Sequence, residues 1–235
     1  MHLLGYSIAT DYPNLPPRHK IIINTINPHS YCEAKKDKYF FQALKSSDVL
    51  LPDGVGIVWA AKFLKGKRIQ KIAGADIHQR LLEIANANQQ KIFYLGAAQN
   101  TLNLIAARIK KEYPNIKVAS FSPPYKPAFS QEDSEKMISS VNNFQPDILF
   151  VGMTAPKQEK WVHAHKDSLD VNVITSIGAV FDFYAGTVKR SHPIWIKLGL
   201  EWLPRLLQEP KRLWRRNFIS TPLFIKSVLH AKLKN

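Results

Sequence analysis

Lys20-Ile-Ile-Ile-Asn-Thr-Ile-Asn-Pro-His29 is the stretch that decides the fold. Its isoleucine run has no polar alternation, which marks a strand covered on both faces, as in parallel sheets. The run passes straight into amides, a hydroxyl and a proline suited to the first turn of a helix. Working outward, similar short apolar runs recur at residues 48–51, 91–95, 117–121, 147–151 and 172–177. Between them lie helical patterns at residues 29–46, 76–88, 102–111, 131–143 and 157–166. This alternation predicts an α/β fold over residues 1–186, with a parallel sheet and helices on both of its faces.

The remaining chain, residues 187–235, does not continue that pattern. From Gly186 onward there are 11 Lys/Arg against two acids, which places +9 of the formal net charge of +15 in this segment. Trp195, Trp202 and Trp214 lie here, and prolines 193, 204, 210 and 222 divide it into short helices. The segment reads as a basic, amphipathic helical appendage suited to an anionic membrane surface. The N-terminal twenty residues are broken by Pro13, Pro16 and Pro17 and have no Lys or Arg before Arg18, unlike a secretory signal. No stretch reaches the ~18 apolar residues of a membrane span. The expectation is a cytoplasmic protein. Cys32 is the single cysteine, which excludes an intramolecular disulfide and a Cys-only zinc site.

In open parallel sheets, ligands bind beyond the carboxyl ends of the strands. Four segments occupy that place. Asn24 to His29 offers Thr25 and Asn27 either to a sugar or phosphate or, more locally, as the cap of the helix opening at Pro28. In Pro52-Asp-Gly-Val-Gly-Ile57, Asp53 is either a general base beside two ligand-approaching glycines or a helix N-cap. Tyr94-Leu-Gly-Ala-Ala98 resembles a nucleotide-binding turn without the three-glycine fingerprint, and its glycine also fits simple packing. Lys157 and Gln158 open a helix whose N–H groups favour an anion, while Lys-Gln-Glu is equally good solvated helix composition. No Asp-x-Asp metal clamp, Walker A loop or Gly-x-Ser-x-Gly elbow is present.

Taken in order, a set of segments resembles the WecG/TagA/CpsF family of bacterial glycosyltransferases. They are Asn24–His29, Leu51–Trp59, Ile72–Ile77, Tyr94–Ala97, Pro146–Gly152, Ala155–Trp161, Gly178–Gly186 and Gly199–Arg212. The resemblance implies a Rossmann-like domain with a C-terminal appendage. It also implies inverting, metal-independent transfer of a sugar from a UDP-sugar to a polyprenyl-diphosphate-linked saccharide, with no cofactor. Carried over by position, Asp53 is the general base, and an ordinary aspartate is ionised at neutral pH. Thr25 and Asn27 line the sugar pocket, and Gln158 binds the donor sugar or its diphosphate. Asp182 touches the nucleotide, and Tyr125 stacks on uracil. Arg205, Arg212 and Arg215 neutralise a diphosphate bidentately or hold lipid head groups.

Thr154 and the sequence Arg190-Ser-His-Pro193 depart from the family's usual residues. They bear on the donor sugar, for which N-acetylmannosamine, its uronic acid and glucose all stand open. The implied seat is the inner face of the cytoplasmic membrane, with a homo-oligomer left open. The different-class alternative, a nucleic-acid-binding protein, rests on basic charge and aromatics alone and has no recognisable module behind it.

Overall fold

The computed structural model describes residues 1–188, 192, 194–195, 202–203, 206 and 210–234. A small hairpin pairs β1 (His2–Leu3) with β2 (Tyr6–Ser7). The six apolar runs form β3 (Ile21–Ile26), β4 (Val49–Pro52), β5 (Lys91–Gly96), β6 (Lys117–Phe121), β7 (Ile148–Gly152) and β8 (Val173–Ser176). They make one six-stranded sheet in the order β4-β3-β8-β7-β5-β6, parallel at every pairing.

Successive strand residues point to opposite faces. Ile21, Ile23, Tyr94, Phe150 and Val173 pack against α4 (Gly74–Ala87), α5 (Gln99–Glu112) and α8 (Val180–Ala185). Ile22, Phe93, Leu149 and Ile174 pack against α6 (Gln131–Phe144) and α7 (Lys157–His165). The expected Rossmann-like arrangement, with helices on both faces, is present. Aspartates just ahead of two strands fasten their neighbours. Asp48 Oδ2 accepts from Ile22 N and Asp147 Oδ2 from Lys91 N, both at 2.8 Å.

The helix expected over residues 29–46 is instead two helices, α1 (Pro28–Ala34) and α2 (Lys38–Lys45). Asp37 divides them: its carboxylate accepts from Phe40 N at 2.9 Å and starts a new N-terminus. The same carboxylate meets Lys160 at 2.7 Å. After β4 comes α3 (Val55–Lys65), which closes on Gly66 in the left-handed region.

Beyond Gly186, which ends α8 at φ 78°, the described chain resumes as α9 (Pro210–Arg215), a π-helical turn (Arg216–Ser220) and α10 (Thr221–Leu233). This end of the chain is joined to the α/β core. Phe224 and Val228, one helical turn apart, are fully buried in a cluster with α1, α2, α3 and the hairpin. The Phe224 ring meets Tyr31 edge-on at 5.3 Å. Ser220 Oγ bonds His29 Nδ1 at 2.8 Å, and the Ser220 carbonyl accepts from Cys32 Sγ at 3.2 Å. Phe224→Ala is therefore expected to cost about 3–5 kcal/mol of global stability, as for other buried aromatics. Urea denaturation checks this, and a loss below about 0.5 kcal/mol would mean that α10 contributes nothing to the core.

Candidate active site

A cleft of ≈ 270 Å³ opens at the carboxyl ends of β3, β4, β7 and β8. Thr25, Asn27, Asp53, Gly54, Gly74, Gln158, Glu159, Ser176 and Gly178 line its sheet side. Trp202, Leu213, Arg216 and Asn217 close it from the C-terminal segment. The sheet order explains the meeting, since β3 lies between β4 and β8 with Thr25 opposite Leu51 and Ile23 opposite Thr175.

Asn27 caps α1 and also faces the cleft. Its Oδ1 accepts from His29 N and Ser30 N, each at 3.0 Å, and Ser30 Oγ accepts from Asn27 N at 2.8 Å. With the carbonyl oxygen committed, the amide nitrogen is turned toward β4, where Nδ2 donates to Asp53 Oδ2 at 3.5 Å. Asn27 thus caps α1 and at the same time lies on the cleft wall.

Asp53 does not cap α3. The cap position is Gly54, at φ 90°, which has no side chain to offer the first turn. The Asp53 backbone is fixed by its N–H to Ile26 O at 2.9 Å, while its carboxylate lies in the cleft wall. The first-turn N–H groups of α3 present partial positive charge beside it. Gly56 serves packing: a Cβ there would lie 2.5 Å from Pro28 Cγ, at the junction of α1 and α3.

The turn at residues 94–98 is also a packing device. Gly96 lies against the backbone of Gly152, whose own Cα faces the Phe181 ring so closely that a Cβ would sit 2.5 Å from Cδ2. Tyr94 is buried, with its hydroxyl 2.6 Å from His78 Nε2.

The start of α7 is buried rather than solvated. Gln158 Oε1 accepts from Met153 N at 3.0 Å, and its Nε2 donates to Glu159 Oε1 at 2.8 Å. Glu159 is 5% exposed, and its Oε2 has no hydrogen-bond partner among the described residues. Burial pushes its carboxyl up to about 7. Ser176 Oγ, also on the cleft, is likewise buried without a partner among those residues.

The remaining expected residues are placed less centrally. α8 presents Val180 and Phe183 to the cleft, with Asp182 half-buried beside them. Tyr125 is fully exposed in the loop after β6, a loop tied to α7 by Lys157 Nζ donating to Lys126 O at 2.8 Å. Arg215 is exposed on α9. Arg205 and the side chain of Arg212 lie outside the described residues. Sequence reasoning missed Glu159, Ser176, Lys71 and Arg216, all of which line the cleft. Arg216 follows Arg215 directly and begins the π turn, and it also holds the half-buried His29 below its ordinary pKa, after burial itself.

Glu159 yields a pH signature. In the unfolded chain its carboxyl ionises near the ordinary 4.5, and in the folded protein near about 7. Between those values the folded state holds a proton that the unfolded state has lost, so stability falls as pH rises. Glu159→Gln removes this proton uptake. Its stability relative to the unaltered chain is expected to climb by about 2–3 kcal/mol across that window and then level. A difference that stays flat in denaturation curves taken across those pH values would contradict the assignment.

The family model described as Glycosyl transferase WecG/TagA/CpsF family matches residues 12–235. A Bacillus subtilis (strain 168) protein named N-acetylglucosaminyldiphosphoundecaprenol N-acetyl-beta-D-mannosaminyltransferase is 35% identical over 208 residues, covering 88% of this chain and 78% of that one. A Staphylococcus aureus (strain MW2) protein of the same name is 30% identical over 228 residues, covering 97% and 87%. The match runs through the strand ends that build the cleft and on through α10, and on that extent the chain belongs to the WecG/TagA/CpsF family of glycosyltransferases.

Proposed function

We propose that the chain transfers an N-acetylmannosamine-type sugar from a UDP-sugar to a polyprenyl-diphosphate-linked saccharide, with inversion at the anomeric carbon. The relatives' names support this sugar and acceptor over the glucose and uronic-acid alternatives. One observation carries the mechanism. Asp53, at the carboxyl end of β4, precedes the α3 cap at Gly54, lines the cleft and accepts a hydrogen bond from Asn27 Nδ2.

In this reading the acceptor hydroxyl oxygen attacks the anomeric carbon while Asp53 takes its proton. The bond from that carbon to the diphosphate oxygen breaks, and UDP leaves with the electron pair. Lys71, Arg216 and the N-terminus of α3 supply positive charge where the leaving diphosphate would lie. These groups support charge neutralisation by the protein itself, without a cofactor. Thr25 and Gln158 complete the sugar-facing wall, and Gln158's fixed amide holds its own turn in place.

Among the described residues no helix is long and apolar enough to cross a membrane. The basic C-terminal segment and the lipid-linked acceptor together support a peripheral seat on the inner membrane face. Asp53→Asn keeps the size and the Asn27 contact but cannot accept the proton. Transfer to a synthetic lipid-diphosphate acceptor is expected to fall about 10²–10⁴-fold while UDP affinity by calorimetry is unchanged. Undiminished turnover in that variant would remove Asp53 from the role of base.

A further inference from the structure

The cationic excess is not confined to the C-terminal segment. Residues 54–75 carry Lys62, Lys65, Lys67, Arg68 and Lys71 and no acid. Half of this stretch, with Lys62 and Lys65, is α3, whose outward side is apolar at every fourth residue. Val55, Trp59 and Phe63 are 51%, 41% and 37% exposed. Trp59 and Phe63 stack face to face, with ring centroids 5.2 Å apart and planes 12° from parallel. Such a stripe faces outward although Ile57, Ala60 and Ala61 on the same helix already supply its buried side.

α10 packs beside α3, and Lys232 Nζ stands 5.8 Å from the Phe63 ring. Ile225, Leu229 and Leu233 of α10 are exposed as well, among Lys226, Lys232 and Lys234. The two helices thus combine aromatic and aliphatic side chains with lysines, and residues 54–75 and 210–234 contain no acid at all. A second copy of the chain fits this surface poorly, because pairing would bring like charges together. An anionic lipid surface fits it well. Aromatic rings settle at the head-group boundary, and each nearby Lys or Arg gains from the negative potential.

We propose that the exposed stripe of α3, together with α10, is the surface that seats the protein on an anionic bilayer. The α/β domain then touches the membrane directly, beyond what the C-terminal segment does. Val55 belongs both to this stripe and to the cleft lining, so docking on it brings the mouth of the cleft to the lipid surface. There the diphosphate of a lipid-linked acceptor emerges. This inference rests on the peripheral-membrane part of the proposed function.

Co-sedimentation of the full chain with vesicles of equimolar phosphatidylglycerol and phosphatidylcholine tests it. The double variant Trp59→Glu, Phe63→Glu leaves every residue of the C-terminal segment in place. Its vesicle binding is expected to fall about tenfold or more, with an unchanged circular dichroism spectrum. If the glutamates disturb folding, the serine pair at the same positions decides, with a smaller loss expected. Binding equal to that of the unaltered chain would overturn the role of α3 while leaving the peripheral-membrane reading intact. Failure of the unaltered chain to sediment would instead remove that reading, and this proposal with it. Sedimentation velocity separates the remaining case. A dimer that the substitutions split, with vesicle binding unaffected, would assign the stripe to self-association and overturn the proposal.

Discussion

The parallel register of β3 between β4 and β8 is the constraint on which the rest of the molecule depends. Thr25 lies opposite Leu51, Ile26 opposite Pro52 and Ile23 opposite Thr175, so these strands end at nearly the same height. Each ends where a helix must begin, and parallel strands send all such junctions to one edge of the sheet. The result is a cleft walled by the starts of α1, α3 and α4 and the junction after β8. Asn27 spans that proximity. The same amide closes the first turn of α1 with its oxygen and reaches the Asp53 carboxylate with its nitrogen. A helix cap, usually a local device, thereby links two strand ends 26 residues apart in sequence.

Much of this was legible because the signals are local. Six apolar runs became six strands, each within about two residues of its expected place, since doubly covered strands need no long-range information to be recognised. The helix break at Asp37 was less legible, because an acid in a polar stretch announces a cap only when its carboxylate is seen to close on Phe40 N. For Asp53, the pattern by itself favoured the cap, the commoner role for an aspartate at such a junction, over the base. The structure bears on the cap alone, through one backbone detail, the placement of the cap at Gly54 rather than Asp53.

Other features were hidden for non-local reasons. Lys157-Gln-Glu159 has the composition of a solvated helix start, yet Gln158 and Glu159 are buried because α7 lies against β8 and α2. Arg215 and Arg216 are indistinguishable as a tandem pair, and only the π turn that begins at Arg216 separates the exposed one from the one on the cleft. The net charge of +15 pointed to the C-terminal segment, yet α3 and the loop after it carry their own acid-free run of cations beside α10. That grouping is a product of packing.

These elements describe one design: a cleft lined by the Asp53 carboxylate and by protein-borne positive charge, opening beside a basic, aromatic face. Its central claim is direct, single-step displacement by an acceptor hydroxyl that loses its proton to Asp53. The configuration of the newly formed glycosidic bond tests that claim most directly. It is read by nuclear magnetic resonance on the product of a UDP-sugar and a synthetic lipid-diphosphate acceptor. The account predicts an anomeric configuration opposite to that of the donor. A product that retains the donor's configuration would require a glycosyl-enzyme intermediate or front-face attack and would contradict it.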